Sequence, residues 1–420
     1  MTVETTETGP EANSGADEAS RRPANLGYRA LFAQLGFPQL AAGTVLARTA
    51  GSLWQIALVL FVLQRFHSPA LAGAATFLGI VPGLAVSPIA GALLDRHGRL
   101  RMILLDYAVA SVSLILLAVL SLLNVLSPGA LLVIVAVSSL TGPLSASGAR
   151  ALFPLVVPNE LWDRANGVDS GSQALAAVAG PALAGFCVAW FGGEGAFLVT
   201  AALWLAGGLV LLGVHDPQTE PSSRSPLLRS AWEALVYVVR HPTLRGVIFT
   251  LWASNLPFGM LTVALPVLAF RTLHWSADGV GALWSVAGVA TVIAGLAAGR
   301  IDTEGRERPI IVVGMAISAL GCVLTVAQTP VALVAAMVMF GLAAGPTDVA
   351  LFALRQRRTD RRWFGRVFAV SMSLNFAGMP VGSALAGPVI ERSIPLALVL
   401  AAAIAVAGCV VPLLVIPRKG

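Results

Sequence analysis

The chain alternates between long apolar runs and short polar segments. From residue 38 onward twelve apolar runs can be marked: 39–64, 70–94, 102–125, 129–152, 167–191, 195–214, 243–269, 277–299, 309–328, 330–354, 366–390 and 395–416. Each is close to the roughly 20 residues that a helix needs to cross a bilayer. The runs are continuously apolar, without the period-two alternation of a membrane barrel. The pattern predicts an all-α membrane protein of twelve transmembrane helices.

The polar segments set the topology. Residues 1–37 carry Glu4, Glu7, Glu11, Asp17 and Glu18, and their first 26 residues hold no apolar core. They read as a disordered cytoplasmic tail and entry, not a signal peptide. An even number of spans leaves both termini on one side. With that side inside, 23 basic residues fall in inside segments, against only Arg65, Arg271 and Arg392 outside. This asymmetry predicts an N-in, C-in, multi-pass protein of a bacterial cytoplasmic membrane.

Residues 38–214 and 243–420 read as two six-span halves joined by 215–242. Within the linker, Leu228, Trp232, Leu235, Val236 and Val239 share one face of a predicted helix, 226–240. That helix is expected to lie on the cytoplasmic membrane surface. The halves echo each other: Phe37-Pro38-Gln39-Leu40 returns as His241-Pro242-Thr243-Leu244, and Gly142-Pro143 as Gly345-Pro346. Parallel repeats of this kind put a substrate site near mid-membrane, between the halves.

Composition narrows the function. Apolar residues make up 57% of the chain and charged residues 11%, where a soluble domain has about 45–50% and 25%. The net charge of +6 is then a topology signal and not a sign of nucleic-acid binding. Cys187, Cys322 and Cys409 each sit in an apolar run and read as packing residues. There is no P-loop, no nucleophile with a base at a plausible spacing, no metal-ligand cluster and no cofactor motif. An enzyme is not expected.

Two motifs carry more. After span two stands Gly91-x-x-x-Asp95-Arg96-x-Gly98-Arg99-x-Arg101, and 207 residues on stands Asp302-x-x-Gly305-Arg306-x-Arg308. Gly98 permits a tight turn, and Asp95 suits the N-terminus of a neighbouring helix. In span five, Gly167 is followed by Gly180-Pro181-x-x-x-Gly185. Pro181 is expected to bend or loosen that helix, and its small neighbours to allow close packing. Gly378, Pro380, Gly382 and Gly387 are the matching feature of span eleven.

With these residues the chain resembles the major facilitator superfamily over 30–416. The resemblance implies two six-helix halves that rock about a central site, with the Asp95-to-Arg101 loop as a latch on the cytoplasmic side. The second copy has Ala298 and Thr303 where that pattern expects glycine and arginine, which implies a weaker latch. The span-five motif is similar to that of drug-exporting members, and Val157-Pro158-Asn159-Glu160-Leu161 through Arg164-Ala165-Asn166 resembles the branch with enterobactin exporters and macrolide efflux proteins. That branch often has an acidic residue where Gly51 and Ser52 stand here.

Ionisable groups inside spans are costly and mark function by default. Arg48, in span one, is suited either to an anionic group of a substrate or to a carboxylate partner. Asp348, in span ten, is the first choice for a titrating carboxylate. Asp106 is expected to pair with the arginines of the loop before it, and Asp169 to sit favourably at a helix N-terminus. Trp54, Gln55, Ser145, Trp252, Asn255, Phe258 and Trp284 are expected to line the path, which suits a bulky, mostly apolar solute. The expectation is a monomeric secondary transporter exporting a drug-like or siderophore-like compound by proton antiport. Its rivals are a nutrient importer by proton symport and a non-transporting receptor.

Overall fold

The computed structural model describes residues 27–214, 227–298, 305–359, 371, 374–375 and 377–416. Among these, all regular structure is helical. A short α1 (Tyr28–Phe32) leads into α2 (Phe37–Phe66), α3 (Pro69–Leu78), α4 (Val81–His97), α5 (Arg99–Leu122), α6 (Pro128–Ser139), α7 (Gly142–Val156) and α8 (Trp162–Leu211). The linker helix α9 (Leu227–Arg240) precedes α10 (Pro242–Arg271), α11 (Ala277–Ala298), α12 (Glu307–Thr325) and α13 (Pro330–Arg358). The chain closes with α14 (Gly378–Arg392), α15 (Ile394–Gly408) and α16 (Val411–Val415).

Ten described stretches are long and apolar enough to cross a membrane. Their outward faces stay apolar: Val133, Trp190, Leu209 and Leu296 are all well exposed. Side chains of this kind on every outer face are what contact with lipid tails requires. The molecule is a multi-pass membrane protein.

The apolar runs and the helices differ in instructive places. Spans two and four each arrive in two pieces. The first breaks at Gly79-Ile80 ahead of Pro82, the second at Leu140-Thr141 ahead of Pro143. A proline removes a helical hydrogen bond and clashes with the preceding turn. The two breaks abut, since a Cβ on Gly83 would strike the Ser139 carbonyl oxygen and come within 3.4 Å of Pro143 Cδ. Runs five and six both fall on α8, which is interrupted at Gly192 (φ 73°, ψ 175°). Pro181 keeps helical dihedrals, so the discontinuity of α8 lies eleven residues beyond it. The first part of run eleven falls outside the described residues.

The repeat seen in the sequence is also written in the backbone. His67 and His274 are both left-handed and lie 207 residues apart, as do Gly98 and Gly305. Asn124 and Gln328, also left-handed, are 204 apart. Non-glycine residues rarely adopt this conformation, so its recurrence at equivalent helix ends reports one supersecondary plan used twice.

The core divides along the molecule. Toward one end, α2 residues Leu53–Leu63 and α10 residues Met260–Ala269 belong to a single buried cluster. Toward the other end there are two clusters. One holds first-half residues such as Phe37, Ile103 and Phe153, the other second-half residues such as Val247, Ile311 and Leu354. The halves are welded at one end and parted at the other.

Candidate functional site: a cavity between the halves

Glycine makes the weld. A Cβ on Gly185 of α8 would lie 2.8 Å from the Gly281 Cα of α11, and one on Gly281 would lie 2.8 Å from the Gly185 Cα. On the other side of the molecule, a Cβ on Gly387 of α14 would lie 2.5 Å from the Ala70 Cα of α3. Only glycine lets backbones approach this closely. Gly180 faces Ser52 of α2 and Gly382 faces Leu256 of α10, each within its own half. Gly180-Gly185 and Gly382-Gly387 therefore do the same two jobs: the first glycine packs inside a half, the second between halves. Gly167 does neither; a Cβ there would meet only Tyr28 Oη, at 3.2 Å.

Where the halves part lies a cavity of about 2760 Å³, lined by both of them. Its wall is mostly apolar with a few charged groups. Arg48, Trp54, Ser145, Asn255, Phe258 and Asp348 line it. Gln55, Trp252 and Trp284 do not line it. Gln55 is exposed elsewhere. Trp252 turns its Nε1–H to the Leu374 carbonyl at 2.8 Å, beside the 2.9 Å bond from Asn255 Nδ2 to Asn375 O. Trp284 is buried behind Phe258, with ring centroids 5.5 Å apart at 82°. Phe197 backs Trp54 in the same way at 5.6 Å. In each half a cavity-lining ring, Trp54 or Phe258, is thus backed by a second ring that does not line it.

The first half carries its charge across helices. Arg48 Nη2 of α2 lies 2.7 Å from Asp169 Oδ1 of α8. Arg48 Nη1 also donates to the Asp169 carbonyl at 2.6 Å and to Ser172 Oγ. Of the two roles open to Arg48, pairing with a carboxylate is the one observed. Asp106 departs from expectation: it is buried, and the groups its carboxyl interacts with are the Ser145 and Thr141 hydroxyls near the start of α7. Both hydroxyls sit at the break in span four, which aims them at α5. Asp106 and its neighbour Tyr107 line the cavity. The sequence signal was available, since an aspartate one turn inside an apolar run faces a serine-rich run.

The second half carries its charge along one helix. Asp348 and Arg355 are two turns apart on α13, interact electrostatically, and both line the cavity. Asp348 is exposed, and the space it faces is the cavity. Arg355 is buried. Arg355 stands one residue past the apolar run 330–354, at the head of an arginine-rich segment, so its inward position was not legible.

At the parted end, Gly98 (φ 89°) and Gly305 (φ 69°) turn the chain between helices. Arg96 and Arg101 are exposed, and Arg99 is partly buried. Arg306 precedes α12 and is exposed. The side-chain surroundings of Gly91 and Asp95 lie outside the described residues, as does Asp302. The second loop has an ion pair of its own: buried Glu307, first in α12, bonds Arg357 of α13. Helix α9 packs against α4 and α10 at this mouth. Trp232 and Leu235 line the cavity, Val238 is buried on Leu244, and Val239 is exposed. The side chain of Leu228 lies outside the described residues.

This arrangement, two repeated helical halves about one central cavity, is that of a membrane transporter. The chain matches the Major Facilitator Superfamily over residues 40–301 and 247–420, and it belongs to that family. It is 38% identical over 401 residues to the "Uncharacterized MFS-type transporter y4rN" of Sinorhizobium fredii, spanning 93% of this chain and 98% of that one. The "Enterobactin exporter EntS" of Citrobacter koseri is 26% identical over 84% of this chain and 81% of its own. The "Multidrug efflux pump Tap" of Mycobacterium bovis is 28% identical over 83% and 86%. In fold, the chain is similar to a crystal structure of a POT family transporter in complex with 5-aminolevulinic acid, with a TM-score of 0.75, 12% identity, and coverage of 94% and 99%.

Proposed function

We propose that this chain is a secondary active transporter that exports a lipophilic or amphipathic small molecule from the cytoplasm by alternating access, driven by proton antiport. In this reading it has twelve spans in two halves, 38–214 and 243–420, and works as a monomer in the bacterial cytoplasmic membrane with both termini inside. The observation that carries the reading is the divided core: one cluster shared by both halves at one end, two separate clusters flanking a cavity at the other. Two bodies that meet at one end and part at the other can rock about the site between them and expose it alternately.

Direction rests on three supports. The parted end holds the arginine-rich segments, which the positive-inside rule assigns to the cytoplasm; the cavity is then open inward. Its mostly apolar wall suits an amphipathic solute. Two distant relatives are named as exporters. For coupling, Asp348 and Asp106 are the carboxylates on the cavity wall that a proton reaches through water, and Asp169 is engaged by Arg48.

Everted vesicles test the reading. A pH gradient, acid inside, should drive accumulation of lipophilic dyes and drugs in vesicles that contain the protein. Asp348→Asn or Asp106→Asn should reduce the gradient-driven component at least about tenfold while leaving solute exchange without a gradient. No gradient-driven uptake across a broad panel would sink export; undiminished uptake in both variants would sink the assigned carboxylates.

A further inference from the structure

The turn between α2 and α3 is two residues long. His67 ends α2 in a left-handed conformation (φ 53°), and Ser68 begins α3. A helix C-terminus leaves carbonyls without partners, and a helix N-terminus leaves N–H groups. Among the described residues of the first half, a side chain answers one of them here: Ser68 Oγ accepts from the Leu71 N–H at 3.1 Å.

The second half supplies others. Arg271, the last residue of α10, donates to the His67 carbonyl at 3.0 Å. Glu391, in the last turn of α14, accepts from Ser68 Oγ at 3.2 Å and from the Ala70 N–H at 3.4 Å. A cation thus meets a helix C-terminus and an anion meets a helix N-terminus, the pairing that helix dipoles favour. Both contacts cross between halves at the welded end, next to the close approach of Gly387 to Ala70.

The repeat-equivalent turn is built differently. His274 is also left-handed, but the acid near its helix start, Asp278, is in α11 itself and bonds Ser276. The base at the end of α2, Arg65, donates to Asn124 of its own half at 2.7 Å. The clamp across the halves is therefore one-sided, and the repeat does not require it.

We propose that Arg271 and Glu391 form a two-point lock that holds the welded end shut by capping, from the second half, the two helix ends that meet at His67-Ser68. The proposal rests on the alternating-access reading. When the welded end opens, both helix ends exchange a fixed charge for water. Each such contact at an exposed site biases the equilibrium by about 2- to 5-fold, and the two together by about 3- to 30-fold.

The test uses the full chain in nanodiscs, with Cys187, Cys322 and Cys409 replaced by alanine. Spin labels at Val125→Cys and Val331→Cys, exposed positions at the welded ends of opposite halves, report their separation by pulsed electron resonance. Arg271→Ala/Glu391→Gln should raise the ratio of long to short separations about 3- to 30-fold, and each single change by about 2- to 5-fold. Arg65→Ala, at the same end but bonded within its half, should leave the ratio unchanged. A double variant that matches wild type, or an Arg65→Ala effect of equal size, overturns the lock. Gly281→Trp, a wedge at the glycine contact, separates the two readings. If the wedge produces long separations and the double variant does not, the lock is wrong and alternating access stands. If neither does, the moving-halves reading fails with it.

Discussion

The two ends of the molecule use opposite materials. The welded end rests on backbone against backbone, Gly185 on Gly281 and Gly387 on Ala70, with Arg271 and Glu391 capping the helix ends beside the second contact. The parted end is side chain and charge: Arg48 paired with Asp169, Glu307 paired with Arg357, and Asp348 in the field of Arg355. A contact between small residues has no rotamers to order and no charge to desolvate, so it separates and re-forms at little cost. Charges at the parted end have the reverse character. They are strong when enclosed and weak when wet, so their strength changes as the cavity opens and closes. The difference teaches that the glycines set the geometry of rocking, while the charged groups set its energetics.

The comparison breaks first, and most strongly, at the glycines. Gly281→Leu forces side-chain atoms into the α8 backbone. Overpacking costs about 1–3 kcal/mol, here charged only to the closed state of the welded end. The closed population should fall by about 5- to 150-fold relative to the open one. The same change at Gly167, where an added Cβ would meet only the Tyr28 hydroxyl, at 3.2 Å and within one half, should shift the ratio less than about twofold. Equal effects at the two glycines would erase the distinction between the ends.

Next comes the Arg48–Asp169 pair. Removing one member of a buried pair strands the other, but these side chains are 16% and 23% exposed, so cavity water lessens the loss. Arg48→Ala should lower unfolding stability in detergent by about 1–3 kcal/mol, and Arg48→Ala/Asp169→Ala should recover at least half. Additive losses would show that the pair is not coupled. Smaller still is Glu307→Gln. Its partner Arg357 is 40% exposed, so the loss should stay below about 1 kcal/mol, visible mainly as a weaker salt dependence of the inward-open population.

The smallest effect is at His241, between α9 and α10. Burial, then the nearby Arg358, holds its pKa below the ordinary 6.5, and its ring stacks on Tyr237 at 5.8 Å. The unfolded chain therefore binds this proton more tightly than the folded one, and stability falls as pH drops through about 6.5. His241→Phe keeps the stack and removes the titration. Its thermal midpoint should decline less than that of wild type between about pH 7 and about pH 5; parallel declines would discharge His241 from this role.

The sequence revealed the helices more readily than their faces. Apolar runs and arginine loops announced the spans, and the paired motifs announced the repeat. The breaks ahead of Pro82 and Pro143 were less visible, because apolar residues continue across them. Cavity residues were partly legible. Arg48, Trp54, Asn255, Phe258 and Asp348 stood out as polar or aromatic groups in oil. Gln55 and Trp252 stood out equally, yet face elsewhere. A helix that is apolar all round has no periodicity to tell lipid from cavity. The partners of Asp106 depended on the break in span four, which places Thr141 and Ser145 opposite it.

One measurement goes to the centre of the account. Ala146 of α7 lines the cavity and is exposed to it. In a chain whose native cysteines are replaced by alanine, Ala146→Cys should react with a membrane-impermeant thiol reagent in everted vesicles at least about tenfold faster than in right-side-out cells. Adding Gly281→Trp should reverse that preference. Labelling from the outside in the unwedged protein, or a preference that the wedge leaves unmoved, would contradict a cavity that is open inward and closed at the opposite end.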